Sequence, residues 1–400
     1  DSGALAITGT TTLVTSANDA TITLDTTTNA FTGALTITTN DSSGTDADVT
    51  IDGGTTALII AASTIDGDLT LTSGNSSGIT DSGTVTVGGN FSATTDANSG
   101  VINMGTMAVD GTVALNTNST GAVTIVNDAG LNLAASTMGG TFSGTATTSD
   151  ITDSGALAIT GAATFITAAT GSNIVLDTSG NEFSNSVEMR ADGGGEAFGN
   201  ITFVDSAAVD FATSACSNGD LFINGSTDGA VGGNLNVTAT TGNITDTVAL
   251  AVSGTTTLTT STNNATITLD NTSNAFTGAL TITTNDSSGT DADVTIDGGT
   301  TALILAASTI DGDLTLTSGN SSGITDSGTV TVGGNLSATT DANNGVIDLG
   351  TAAVDGTVAL TTNGNGAATI VNDAGLSFAA STVGGALNAT ATTGDITDSG

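Results

Sequence analysis

The chain has 400 residues, a formal charge of −38, one Arg (Arg190), one Cys (Cys216), 55 Gly, and no Lys, His, Pro, Trp or Tyr. That charge argues against nucleic acid and anionic membranes as partners. A lone Cys cannot form an internal disulfide, and no apolar run reaches the roughly 18 residues of a membrane span.

Low complexity with high charge often means disorder, but here 37% of residues are hydrophobic. They are mostly Ile, Leu and Val in alternation, which allows enough burial to offset the ordering entropy. From the N-terminus, the phrase apolar–x–Gly–x–apolar–x–apolar reads as FTGALTI at 31–37, IDGDLTL at 65–71 and VGGNFSA at 87–93. It continues as VDGTVAL at 109–115, MGGTFSG at 138–144 and VGGNLNV at 231–237. With looser starts at 7, 159 and 183, the spacing runs from 21 to 34 residues.

Each unit holds three short alternating segments. The first full one is GALTITT, DVTID and TALIIAAS; the next is GDLTLTS, GITDSG and TVTV. Period-2 alternation bounded by Gly, Asn, Asp and Ser is the signal of a strand. Three such strands per unit predict a triangular parallel β-helix, with coils stacked about 4.8 Å apart. Leu35, Ile37, Val49 and Ile51 are expected inside, and Thr36, Thr38 and Thr50 outside in ladders.

A longer period lies above this one. Residues 1–155 align without a gap on 246–400, and 30–59 is identical to 275–304. Blocks 1–152, 153–245 and 246–397 result, with a long period of 245 residues. A gapless match of this length means that spacing itself is structural, as in stacked solenoids. One continuous solenoid over 1–400 with about 16 coils is expected.

The phrase GGNLNVTATTGNITDTVALAVSGTTTL at 232–258, with NAFTGALTIT and AASTIDGDLTLTSG, resembles the large bacterial surface proteins of the filamentous-haemagglutinin and autotransporter-adhesin type. The resemblance implies an exported, right-handed parallel β-helix serving attachment, biofilm or sheath building. Its cellular place would be extracellular or on the bacterial surface. Two functions follow as expectations. One is a structural segment of an extracellular fibre, sheath or filament that self-associates end to end or laterally. The other is an adhesin shaft that binds a glycan or cell surface through block 153–245.

Catalytic chemistry is not expected, because only carboxylates remain as acid–base groups. The acids are nearly all Asp and recur at the end of the second strand, as at Asp25, Asp52, Asp81, Asp153, Asp246 and Asp297. In-register stacking would make them a column, and neighbouring charges 5 Å apart repel by roughly 0.8 kcal/mol in water. Ca²⁺ is one remedy, with Asp41, Asp46, Asp48 and Asp52 as candidate ligands. The other is that Asp caps turn N–H groups, with no cofactor. Block 153–245 differs from the rest, holding all three Glu, the Arg, the Cys and six of the eleven Phe. There Glu188 and Arg190 fall on the outward face, as a local ion pair or as a lateral contact between rods.

Overall fold

The computed structural model describes residues 1–40, 46–191, 199–212, 220–223, 230–285 and 291–399. They form two compact units, Asp1–Phe198 and Gly199–Gly400. Among the described residues there is no helix, and the strand ladders are parallel. The chain is a parallel β-solenoid of about 16 turns, as the alternation predicts. Each turn advances the chain by one strand spacing, so a residue's N–H and C=O meet the residue one turn away.

In the first unit, Ile22 pairs with Val49, Val49 with Leu69, Leu69 with Phe91 and Phe91 with Val113, so a turn takes 20 to 27 residues. Val49, Leu69, Phe91 and Val113 are buried and form one inward file. Thr23, Thr50, Thr70 and Ser92 occupy the same registers on the outer face. Leu35, Ile37 and Ile51 are also fully buried, as expected. Each such side chain contributes about 1.5–3 kcal/mol by leaving water. Later in the unit, Phe142, Phe165 and Phe183 follow one another in the core, with ring centroids 5.0 and 6.1 Å apart.

The second unit repeats the arrangement. Ile244, Ile267, Val294, Leu314, Leu336 and Val358 succeed one another in register and are buried.

The expected three strands per turn hold for Leu58–Ile60, Ser63–Ile65 and Leu69–Ser73, and for the turn that follows. They do not hold for the next. There the first two strands merge into Ile102–Val109, followed by Thr112–Asn118. The long strand bulges between Met104 and Met107. Asp81 on the preceding turn spans the bulge, where its carboxylate accepts the N–H groups of Gly105 (3.0 Å) and Thr106 (2.6 Å). Asp326 does the same to Gly350 (2.9 Å) and Thr351 (2.6 Å), and Ile347–Val354 is likewise one strand.

Where a one-strand face meets a two-strand face, the chain bends and a backbone donor loses its partner. The motif AAST occupies four of these bends, at 61–64, 134–137, 306–309 and 379–382. Its Ser supplies the missing acceptor. Ser63 Oγ accepts the Ile37 N–H at 2.9 Å, Ser136 the Leu115 N–H at 3.0 Å, and Ser308 the Ile282 N–H at 3.0 Å. Glycine is required at Gly78, where φ is 63° and a Cβ would run into the Val101 carbonyl.

Candidate functional site

The acidic corners are the most distinctive chemistry of the molecule. Asp48 Oδ1 accepts the N–H of Asp68 at 2.8 Å. Asp68 Oδ1 accepts the N–H of Asn90 at 2.6 Å, and Asn90 Oδ1 accepts the N–H of Thr112 at 2.9 Å. Each side chain therefore caps the turn above it. The second unit repeats the chain of caps with Asp293, Asp313, Asn335 and Thr357, at 2.8, 2.7 and 2.9 Å. Backbone N–H groups aimed at these carboxylates offset part of their charge.

Of the four candidate calcium ligands, Asp48 is used in this way and Asp52 Oδ1 accepts the Gly54 N–H at 2.7 Å. Asp46 is exposed, and its carbonyl accepts the Asp48 N–H at 3.1 Å. Asp41 lies outside the described residues, as do Glu196 and Cys216. Among the described residues no group of three or more His, Cys, Asp or Glu is placed to hold a metal.

The expected column of second-strand Asp residues is broken into short files. Asp81 pairs in register with Ile60, Asp153 with Leu133 and Asp326 with Leu305. A file of three does form in the second unit. Asp246 Oδ1 accepts the Asp270 N–H at 3.0 Å, and the pairing of Leu269 with Ile296 sets Asp270 next to Asp297. It stops at Asp297, whose neighbour on the other side is Thr317. Burial raises the pKa of Asp246 above the ordinary carboxylate value; the Asn274 amide and the Asn271 and Asp270 N–H groups work against the rise, and the Asp270 charge adds to it. Asp297 is also raised, first by burial and then by Asp341 and Asp270, while the Gly299 N–H opposes.

Glu188 and Arg190 lie on strand Val187–Arg190, with Val187 and Met189 turned inward as expected. The two charged side chains form an ion pair of 2.5 Å and are 22% and 41% exposed. At that exposure the pair stabilises little. A groove of about 430 Å³ runs past Asp110, Asn132 and Asp150 in the first unit. Its counterpart in the second, about 330 Å³, runs past Asp355, Ser377 and Asp395. Asp150 is already engaged by the N–H of Asn173 at 2.7 Å.

Residue-type reasoning missed the buried asparagines. Asn127 is 1% exposed; its Oδ1 accepts the Val109 N–H at 2.8 Å, and its amide donates to the carbonyls of Val109 (3.0 Å) and Gly130 (2.6 Å). Asn372 makes the same three contacts with Val354 and Gly375, at 2.8, 3.0 and 2.6 Å. The available signal was position: both end an alternating strand, VTIVN and ATIVN, one long period apart.

Fold and corners together define a repeat protein of the parallel β-solenoid class, with corner Asp and Asn side chains bonded from one turn to the next. The chain matches, over residues 1–38, 120–190, 198–283, 291–363 and 364–400, the family described as Repeats of unknown function (DUF5649). It belongs to that family. No curated protein and no solved structure matches it.

Proposed function

We propose that the chain is a structural segment of an extracellular bacterial fibre, sheath or surface filament, built by self-association of β-solenoid shafts end to end or side by side. The observation that carries this reading is the corner chain Asp48–Asp68–Asn90–Thr112, in which Asp48, Asp68 and Asn90 each accept a backbone N–H of the next turn. Groups committed in that way hold shape and are not free to act on a substrate. The charge of −38 keeps shafts apart at low salt and lets them approach once it is screened. Electron microscopy of native cells labelled with antibody to the chain is the test. Labelled filaments or sheath outside the cell are expected, and label confined to the cytoplasm would overturn the reading. Isolated single shafts that bind an oligosaccharide would instead favour an adhesin.

A further inference from the structure

An asparagine followed by glycine carries a latent reaction. The glycine nitrogen can attack the asparagine Cγ, because no Cβ shields it, provided that its N–H is free. Five such pairs occur in the chain; those at Asn218 and Asn224 lie outside the described residues. The other three, Asn344–Gly345, Asn363–Gly364 and Asn365–Gly366, share one corner of the second unit, where Asn344 Oδ1 accepts the Asn365 N–H at 2.8 Å.

The corner treats the three pairs differently. The Gly345 N–H donates to the Ala342 carbonyl at 3.1 Å and the Gly366 N–H to the Asn363 carbonyl at 3.2 Å, and both glycines are buried. Gly364 is exposed, and its N–H has no acceptor among the described residues. The peptide unit between Asn363 and Gly364 is held from its other side, since the Asn363 carbonyl also accepts the Asn344 N–H at 3.0 Å. In a trans peptide this pins the oxygen toward its neighbours and turns the nitrogen away from them. The exposed Asn363 side chain is tied by its amide to the Asp341 carbonyl at 3.0 Å.

The first long block supplies a comparison within the same molecule. Asn118–Ser119 occupies the equivalent corner, where the Asn118 carbonyl accepts the Ser99 N–H at 3.1 Å and the Gly121 N–H at 3.2 Å. Ser119 holds φ at 59° against 66° for Gly364. The backbone is shared, and the side chain on the attacking residue is not.

We propose that Asn363 is a self-modification site of the folded chain, reacting ahead of Asn344 and Asn365. The Gly364 nitrogen bonds to Asn363 Cγ and gives up its proton, while the Cγ–Nδ2 bond breaks and the departing nitrogen gains a proton to leave as ammonia. Water then opens the five-membered succinimide at either carbonyl, leaving aspartate or isoaspartate; no electrons are transferred. Either product puts an acid in place of the amide donor, so the bond to the Asp341 carbonyl is lost. Isoaspartate also lengthens the main chain by a methylene, at the residue whose carbonyl ties Asn344 and Gly366.

The test is ageing of the chain in mildly alkaline buffer, folded and in denaturant, followed by peptic mapping with mass spectrometry that separates aspartate from isoaspartate. A hydrogen bond must break before Gly345 or Gly366 can react, so in the folded chain Asn363 is expected to convert at least about fivefold faster than Asn344 or Asn365. In denaturant the three are expected to convert at similar rates. Gly364→Ser should lower conversion at Asn363 to that of Asn118, in a backbone that Ser119 already adopts. Ser119→Gly should raise Asn118 to the rate of Asn363. Equal rates at the three sites in the folded chain, or a lead by Asn344 or Asn365, would overturn the proposal. So would the same lead for Asn363 in denaturant, or either substitution leaving the rate at its asparagine unchanged.

Discussion

Replacing Asn127 by Leu keeps a side chain of similar size at a position that is 1% exposed, and removes three hydrogen bonds. The Val109 N–H is left buried without an acceptor, which costs about 1–3 kcal/mol. The Val109 and Gly130 carbonyls each lose a donor, and adding them brings the total to about 2–4 kcal/mol. Stability in a stacked-repeat protein is a sum of local terms, so the damage stays near the affected turns. Hydrogen exchange at the Val109 N–H is therefore a better assay than a global melt. At 1.36 kcal/mol per factor of ten, exchange there is expected to accelerate about thirty- to thousandfold. Asn118→Leu, at an exposed site ending strand Thr112–Asn118, serves as the control and should change stability by less than about 0.5 kcal/mol. Equal exchange rates at Val109 in the two variants would refute the role given to Asn127.

Three further outcomes follow from the same contacts. Ser63→Ala strands the Ile37 N–H and is expected to cost about 1–3 kcal/mol, read as a lower urea midpoint; an unchanged midpoint would show that the bend needs no side-chain acceptor. Asp246 has a raised pKa, so between its ordinary value of 3.8 and the raised one the folded chain binds more protons than the unfolded chain. Stability then falls as pH rises through that window and levels off above it, and Asp246→Asn should flatten this part of a pH–melting curve. Ser119 holds φ at 59° where the second long block has Gly364 at 66°. Ser119→Gly is expected to stabilise by about 0.5–1 kcal/mol in chemical denaturation, since the left-handed conformation strains a residue with a Cβ.

Strand alternation made the fold legible, because inward and outward positions follow directly from period 2. Leu35, Ile37, Val49 and Ile51 are inside for that reason. Turn count was legible too, from the recurring Gly phrase. The merging of strands at Ile102–Val109 was not, since corner residues such as Asp81 and Asp153 read alike in sequence, and of these two Asp81 alone faces a merged strand. The acidic site was half legible. Asp as a cap could be read from its place beside turns, whereas a full column assumed that every second strand ends at the same height. Unequal turn lengths set Asp81 against Ile60 and Asp297 against Thr317 instead. The buried Asn and Ser residues were hidden by composition. In a chain so rich in both, Asn127 and Ser63 look like any other surface residue. Only the fourfold return of AAST and the shared strand ending VN marked them out.

The stacking of parallel turns in register is tested most directly by proton–proton contacts between backbone amides in solution. Cross-peaks should link the Thr50 neighbourhood to Thr23 on one side and Thr70 on the other, and Thr70 onward to Ser92. Contacts that connect these strands in antiparallel order, or none between residues one turn apart, would contradict the solenoid.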